Sequence, residues 1–109
     1  GLEVVSRRPG LFVFLRIGEA MLLIFDPEAA ARGRDVPAHG AHGPGHVCFA
    51  VPEAELGSWK ERLTAAGVAI EHIHHWPRGG WSFYVRDPAG NSVEFATPRI
   101  WGLPDLPQA

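Results

Sequence analysis

The chain has 109 residues, 46% apolar and 20% charged, with ten Lys+Arg against twelve Asp+Glu and a net charge of −2. That length suits one domain with a modest core, and the charge balance lacks the basic stripe of sequence-independent nucleic-acid binding, so no nucleic-acid partner is expected. The single cysteine, Cys48, cannot close an internal disulfide, and the longest apolar run, Ala20 to Phe25, is far short of the roughly 20 residues of a membrane span; a cytoplasmic globular protein with no membrane partner is expected.

Three apolar runs open the chain, Leu2 to Ser6, Leu11 to Ile17 and Met21 to Phe25, separated by Arg8-Pro9-Gly10 and Gly18-Glu19, and this spacing predicts an antiparallel meander. Asp26-Pro27 offers an N-cap followed by proline at the first helical position, and Gly33 a stop, so a short helical turn is expected over 27–32. Residues 34–44 form a linker rich in Gly, Pro and His. His39 and His42 in the linker and His46 just after it fall at helix-like spacing, but the glycines and proline between them argue against a helix that would gather them on a metal.

His46 to Val51 reads as a strand with His46, Cys48 and Ala50 on one face, Cys48 counting as a small hydrophobe. Pro52 opens the clearest helix, in which Leu56, Trp59, Leu63 and Ala66 make an apolar stripe that must pack on a sheet before Gly67 ends it. Val68 to His74, Trp81 to Arg86 and Ser92 to Ala96 are expected as further strands, and the proline-rich tail over 99–109 as irregular.

The order strand, helix, strand, strand, strand over 45–98 is echoed by three strands over 1–33. Setting Arg16 against Arg86 and Pro27 against Pro98 gives offsets of 70 and 71, and Gly1 against Gly67 gives 66. By that repeat a matching first strand would begin about 21 residues before Gly1, so 1–33 is expected to be a partial first module and 45–98 a full second one within one domain.

The stretch Phe83-Tyr84-Val85-Arg86-Asp87-Pro88-Ala89-Gly90-Asn91-Ser92-Val93-Glu94-Phe95, preceded by Gly45-His46-Val47-Cys48-Phe49-Ala50-Val51, resembles the vicinal oxygen chelate superfamily of glyoxalases, bleomycin-resistance proteins and dioxygenases. The resemblance implies an α+β fold in which paired βαβββ modules form a cupped mixed sheet, here without the first module's N-terminal strand and helix. It also implies a divalent metal (Fe, Mn, Ni or Zn) in the cup, with His46 and Glu94 as ligands, and a homodimer. An imidazole with a carboxylate suits such ions, and a charge on an otherwise apolar strand is costly unless paired or metal-bound.

Glyoxalase-like members take a further carboxylate from the last strand of the first module, where the offset of 71 puts Leu23 instead. The remaining family ligand would come from the strand expected before Gly1. His72 and His74, on one strand face, are candidate substitutes. Tyr84 lies on the strand expected beside Glu94 and resembles a substrate-contacting tyrosine of fosfomycin-resistance enzymes; a tyrosine packed with its hydroxyl at the rim is the alternative. Trp76 and Trp81, flanking Arg78-Gly79-Gly80, can line an aromatic ligand wall with Arg78 as an anion clamp, or cap the sheet edge. Three functions are open: the first is a metal-dependent enzyme binding two oxygens of a small substrate, by lyase, dioxygenase or thiol-transfer chemistry, and the second a metal-free protein sequestering an aromatic ligand. A bare protein-interaction cup is the third.

Overall fold

Gly10 and Gly18, at φ of +76° and +57°, turn the chain between three strands of β-branched and aromatic residues. In the computed structural model, which describes residues 1–108, these are β1 (Glu3–Arg8), β2 (Phe12–Ile17) and β3 (Ala20–Phe25), an antiparallel sheet in that order. The short helix α1 (Pro27–Ala31) follows, and the Asp26 side chain accepts from Ala29 N at 2.8 Å, as the sequence anticipates for an N-cap. Phe12, Phe14 and Phe25 pack on one face of this sheet, with Phe12 and Phe14 stacked at 4.2 Å and His39 set edge-on to Phe25 at 4.5 Å. These elements belong to one unit, Gly1–His42; a second unit begins at Gly43.

In the second unit β4 (His46–Ala50) pairs parallel to β7 (Ser92–Ala96), which pairs antiparallel to β6 (Trp81–Arg86), itself antiparallel to β5 (His72–His75); the sheet order is β4-β7-β6-β5. A parallel pair needs a crossover, and helix α2 (Leu56–Ala65) supplies it. Strand alternation sends Phe83, Val85, Val93 and Phe95 to the helix side, where they pack with Leu56, Trp59 and Leu63 into the core of the unit. Phe83 and Leu56 are fully buried, and Phe83 stacks on Phe95 at 5.1 Å.

Three expectations are corrected. The helix does not start at Pro52: a 3-10 turn over Glu53–Glu55 precedes α2. The fifth strand begins at His72 rather than Val68, because Val68 N is spent on Leu63 O at the helix end and Val68 and Ile70 fill the core beside α2. The tail is not wholly irregular, since Pro98–Trp101 forms a 3-10 turn closed by Gly102 at φ +69°.

That turn seats on the β5–β6 loop. A Cβ on Gly80 would lie 2.9 Å from Ile100 Cγ2 and 3.1 Å from Thr97 Cγ2, at a φ of +81°. Gly80→Ala is therefore expected to cost about 1–3 kcal/mol, the usual strain of a non-glycine residue held at such an angle, with crowding added. Urea denaturation checks it, and an unchanged midpoint would mean that the loop and tail move apart freely.

The internal repeat holds in register. Ser6, Phe14 and Leu23 pair across β1, β2 and β3, and His72, Tyr84 and Glu94 pair likewise across β5, β6 and β7. The offsets between these residues are the 66, 70 and 71 read from the sequence. Leu23 thus holds the place in its own sheet that Glu94 holds in the other. No helix among the described residues is long and apolar enough to cross a membrane.

Candidate functional site

The sheet face turned away from α2 carries the polar residues of the second unit. His46, Cys48, Glu94, Ser82, Tyr84, His72 and His74 share it by alternation, with Cys48, Glu94, Tyr84 and His72 aligned across the four strands. The parallel β4–β7 pairing brings His46 beside Glu94, with Nε2 3.2 Å from Oε1. The Glu94 side chain is only 7% exposed while that of His46 is 51% exposed, so a buried carboxylate meets an imidazole open to solvent. Burying a carboxylate costs several kcal/mol unless it is partnered, which makes this pair a requirement of the site as well as a chemical resource.

Glu94 marks its neighbours. Burial, and then the Glu94 carboxylate, pushes the Cys48 thiol up to about 12, so at neutral pH Cys48 is a protonated thiol rather than a thiolate. Burial also raises the Tyr84 phenol above its ordinary value, opposed by Ser82 and reinforced by Glu94. Tyr84 therefore stays a hydrogen-bond donor across the neutral range.

The turn over Asp87–Asn91 holds this arrangement in place. Asp87 accepts from Asn91 N at 2.8 Å and from Asn91 Nδ2 at 2.9 Å, and Asn91 Oδ1 accepts from Gly45 N at 2.7 Å. Ser92 N then donates to Gly45 O at 2.9 Å. One asparagine side chain thus ties the residue before His46 to the strand that carries Glu94. The Asp87 carboxyl is held below its ordinary value by the Asn91 side chain and then the Asn91 backbone N–H. A lowered carboxyl stabilises the fold fully above its unfolded value, and the contribution disappears as pH falls through the lower folded value. Urea midpoints of the parent chain and Asp87→Asn, taken from about pH 7 to about pH 2.5, are expected to converge on the acid side; a constant gap would contradict this role.

The other sequence candidates divide between the two faces. Trp76 lies on the polar side, where its indole N–H donates to the buried Ser82 Oγ at 3.0 Å and its ring meets His74 edge-on at 4.5 Å. Trp81 packs with Phe83 on the helix side and stands on the face opposite Glu94. Arg78 is exposed in the β5–β6 loop. The structure thus brings His46, Glu94 and Tyr84 together with Trp76 on one face, and places Trp81 and Arg78 apart from them. His39, in the first unit, rests on Phe25. Sequence reasoning assigns no role in the site to Cys48, Ser82 or Asn91; alternation groups Cys48 with His46, and the β4–β7 register is what sets the thiol beside the carboxylate.

The fit to a metal is partial. An imidazole nitrogen and a buried carboxylate oxygen 3.2 Å apart are donors suited to borderline divalent ions. Among the described residues no group of three or more His, Cys, Asp or Glu could hold a metal ion.

The family model of the Glyoxalase/Bleomycin resistance protein/Dioxygenase superfamily matches residues 1–95. Among solved structures, the chain is similar to a lactoylglutathione lyase from Agrobacterium tumefaciens at 47% identity and a TM-score of 0.88, over 94% of this chain and 79% of that one. It is also similar to the oxidase ChaP-H2 at 28% identity and a TM-score of 0.61, over 88% of this chain and 73% of that one. A glyoxalase/bleomycin resistance protein/dioxygenase from Nocardioides shares the fold at 24% identity and a TM-score of 0.66, over 89% of this chain and 67% of that one. No curated protein matches.

Proposed function

Because this chain belongs to the glyoxalase/bleomycin resistance protein/dioxygenase superfamily, we propose that it is a metal-dependent enzyme acting on a small oxygen-bearing substrate, with lyase chemistry as the first activity to assay. The observation that carries this reading is the buried Glu94 carboxylate beside the solvent-facing His46 imidazole. Both would hold a divalent ion, which when bound supplies Lewis-acid polarisation of substrate oxygens. His46, half exposed, leaves its side of the pair open to an incoming ligand. Tyr84, one strand over and protonated, donates a hydrogen bond to a developing oxyanion on the same face. Trp76 offers an apolar wall beside it, fixed by its bond to Ser82.

The similarity to a lactoylglutathione lyase makes that reaction the direct test. Activity is expected to vanish after chelator treatment and to return with Fe, Mn, Ni or Zn. Activity indifferent to the chelator would sink the reading.

One observation favours a second reading, metal-free sequestration of an aromatic ligand. Leu23 stands where the repeat matches Glu94, and its sheet offers Phe12, Phe14 and Phe25 on the same face. No activity with any of these metals, together with tight quenching of tryptophan fluorescence by a planar aromatic ligand, would favour it.

A further inference from the structure

Strand β5 is the edge of its sheet and carries His72 and His74 two residues apart, so both imidazoles stand on the face of their register partners Tyr84 and Ser82. His72 Nε2 lies 3.4 Å from His74 Nδ1. Two nitrogens that each bind one zinc-sized ion at about 2.0–2.1 Å, at a near-tetrahedral angle, stand about 3.3–3.4 Å apart. In the metal-free chain that separation is a hydrogen bond from one ring N–H to the other ring's nitrogen, and a cation of this size would take the place of the shared proton with little change in the nitrogen spacing. Trp76 helps to hold it: its ring packs edge-on against His74 at 4.5 Å, and its own N–H is tied to Ser82. His72 is exposed, which leaves room for water to complete a coordination shell. The next residue, His75, faces the other way and stacks with Trp81, so it takes no part.

We infer that His72 and His74 form a second cation site, on the sheet face of His46 and Glu94 but separated from them by the strand of Tyr84. Imidazole donors select a borderline divalent transition ion such as Zn²⁺, Ni²⁺ or Cu²⁺ over Mg²⁺ or Ca²⁺, which prefer oxygen. With two protein ligands the ion keeps positions for water or for an anionic group of a bound molecule, and it adds positive charge beside Tyr84. The site does not depend on the metal enzyme proposed above, and it can be tested with that pair removed.

The test uses the full chain carrying His46→Gln and Glu94→Gln, titrated calorimetrically with zinc and, for NMR, with Cu²⁺. One zinc per chain is expected to bind, and the amide signals of His72, His74 and Tyr84 are expected to broaden first. Adding either His72→Gln or His74→Gln should abolish both effects with an unchanged far-UV circular dichroism spectrum, whereas adding His75→Gln should leave them. The inference is overturned if the double variant binds no zinc, if broadening centres on His39, His42 or His75, or if binding survives loss of His72 or His74.

Discussion

Glu94→Gln is expected to lower activity by at least about a hundredfold while leaving the fold intact. Removing groups that merely orient a ligand already costs about 10–100-fold in metal affinity or activity, and Glu94 would be a ligand itself. The amide has nearly the shape of the carboxylate but no charge, so the 5% exposed site stays filled and no cavity opens. His46 loses its carboxylate partner at 3.2 Å, and Cys48 loses the neighbouring charge that helps keep its thiol protonated. Steady-state kinetics and a circular dichroism spectrum check both halves. An active variant would show that Glu94 serves the sheet and not the reaction; an unfolded one would be answered with His46→Gln, whose half-exposed side chain is not needed for packing.

Phe83→Ala is expected to be the most destabilising single change, at about 3–5 kcal/mol, the usual cost of deleting a buried aromatic ring. Phe83 is fully buried, stacks on Phe95 and touches Trp81 at 6.2 Å between centroids. In a unit of this size the loss corresponds to a fall in melting temperature of roughly 12 °C or more. Trp101→Ala, equally aromatic but 52% exposed, is expected to change stability by less than about 0.5 kcal/mol. Equal effects at the two positions would mean that the sheet–helix core is not what holds the unit together.

The parts of this molecule that sequence reveals are those set by local chemistry. Strands β6 and β7 fall on Trp81–Arg86 and Ser92–Ala96 as expected, because β-branched and aromatic runs there are bounded by a Gly-Gly turn and by Asp-Pro-x-Gly-Asn. The repeat carried further, down to the pairing of Phe14 with Leu23 and of Tyr84 with Glu94. What escaped depends on tertiary contact. Residues 68–71 have strand composition, but Val68 N closes α2 and Val68 and Ile70 pack on its core, so that only Glu71 N, donating to Tyr84 O, leads into the strand that starts at His72. The 3-10 turn after Thr97 exists because Gly79 and Gly80 leave room for it against the β5–β6 loop. In the site, alternation alone puts Glu94 and Tyr84 on one face and Trp81 on the other, whereas the flanking of Arg78 by Trp76 and Trp81 in the chain reads as a shared wall. Asn91 was legible as a turn residue only; its grip on Gly45 spans 46 positions and no local pattern announces it.

If His46 and Glu94 hold a metal, the chain purified without a chelating resin carries it. With the second site removed by His72→Gln, elemental analysis is expected to find close to one divalent transition ion per chain, and essentially none once Glu94→Gln is added. A chain that carries no metal with Glu94 in place, or the same metal without it, would show that His46 and Glu94 are not the metal's ligands.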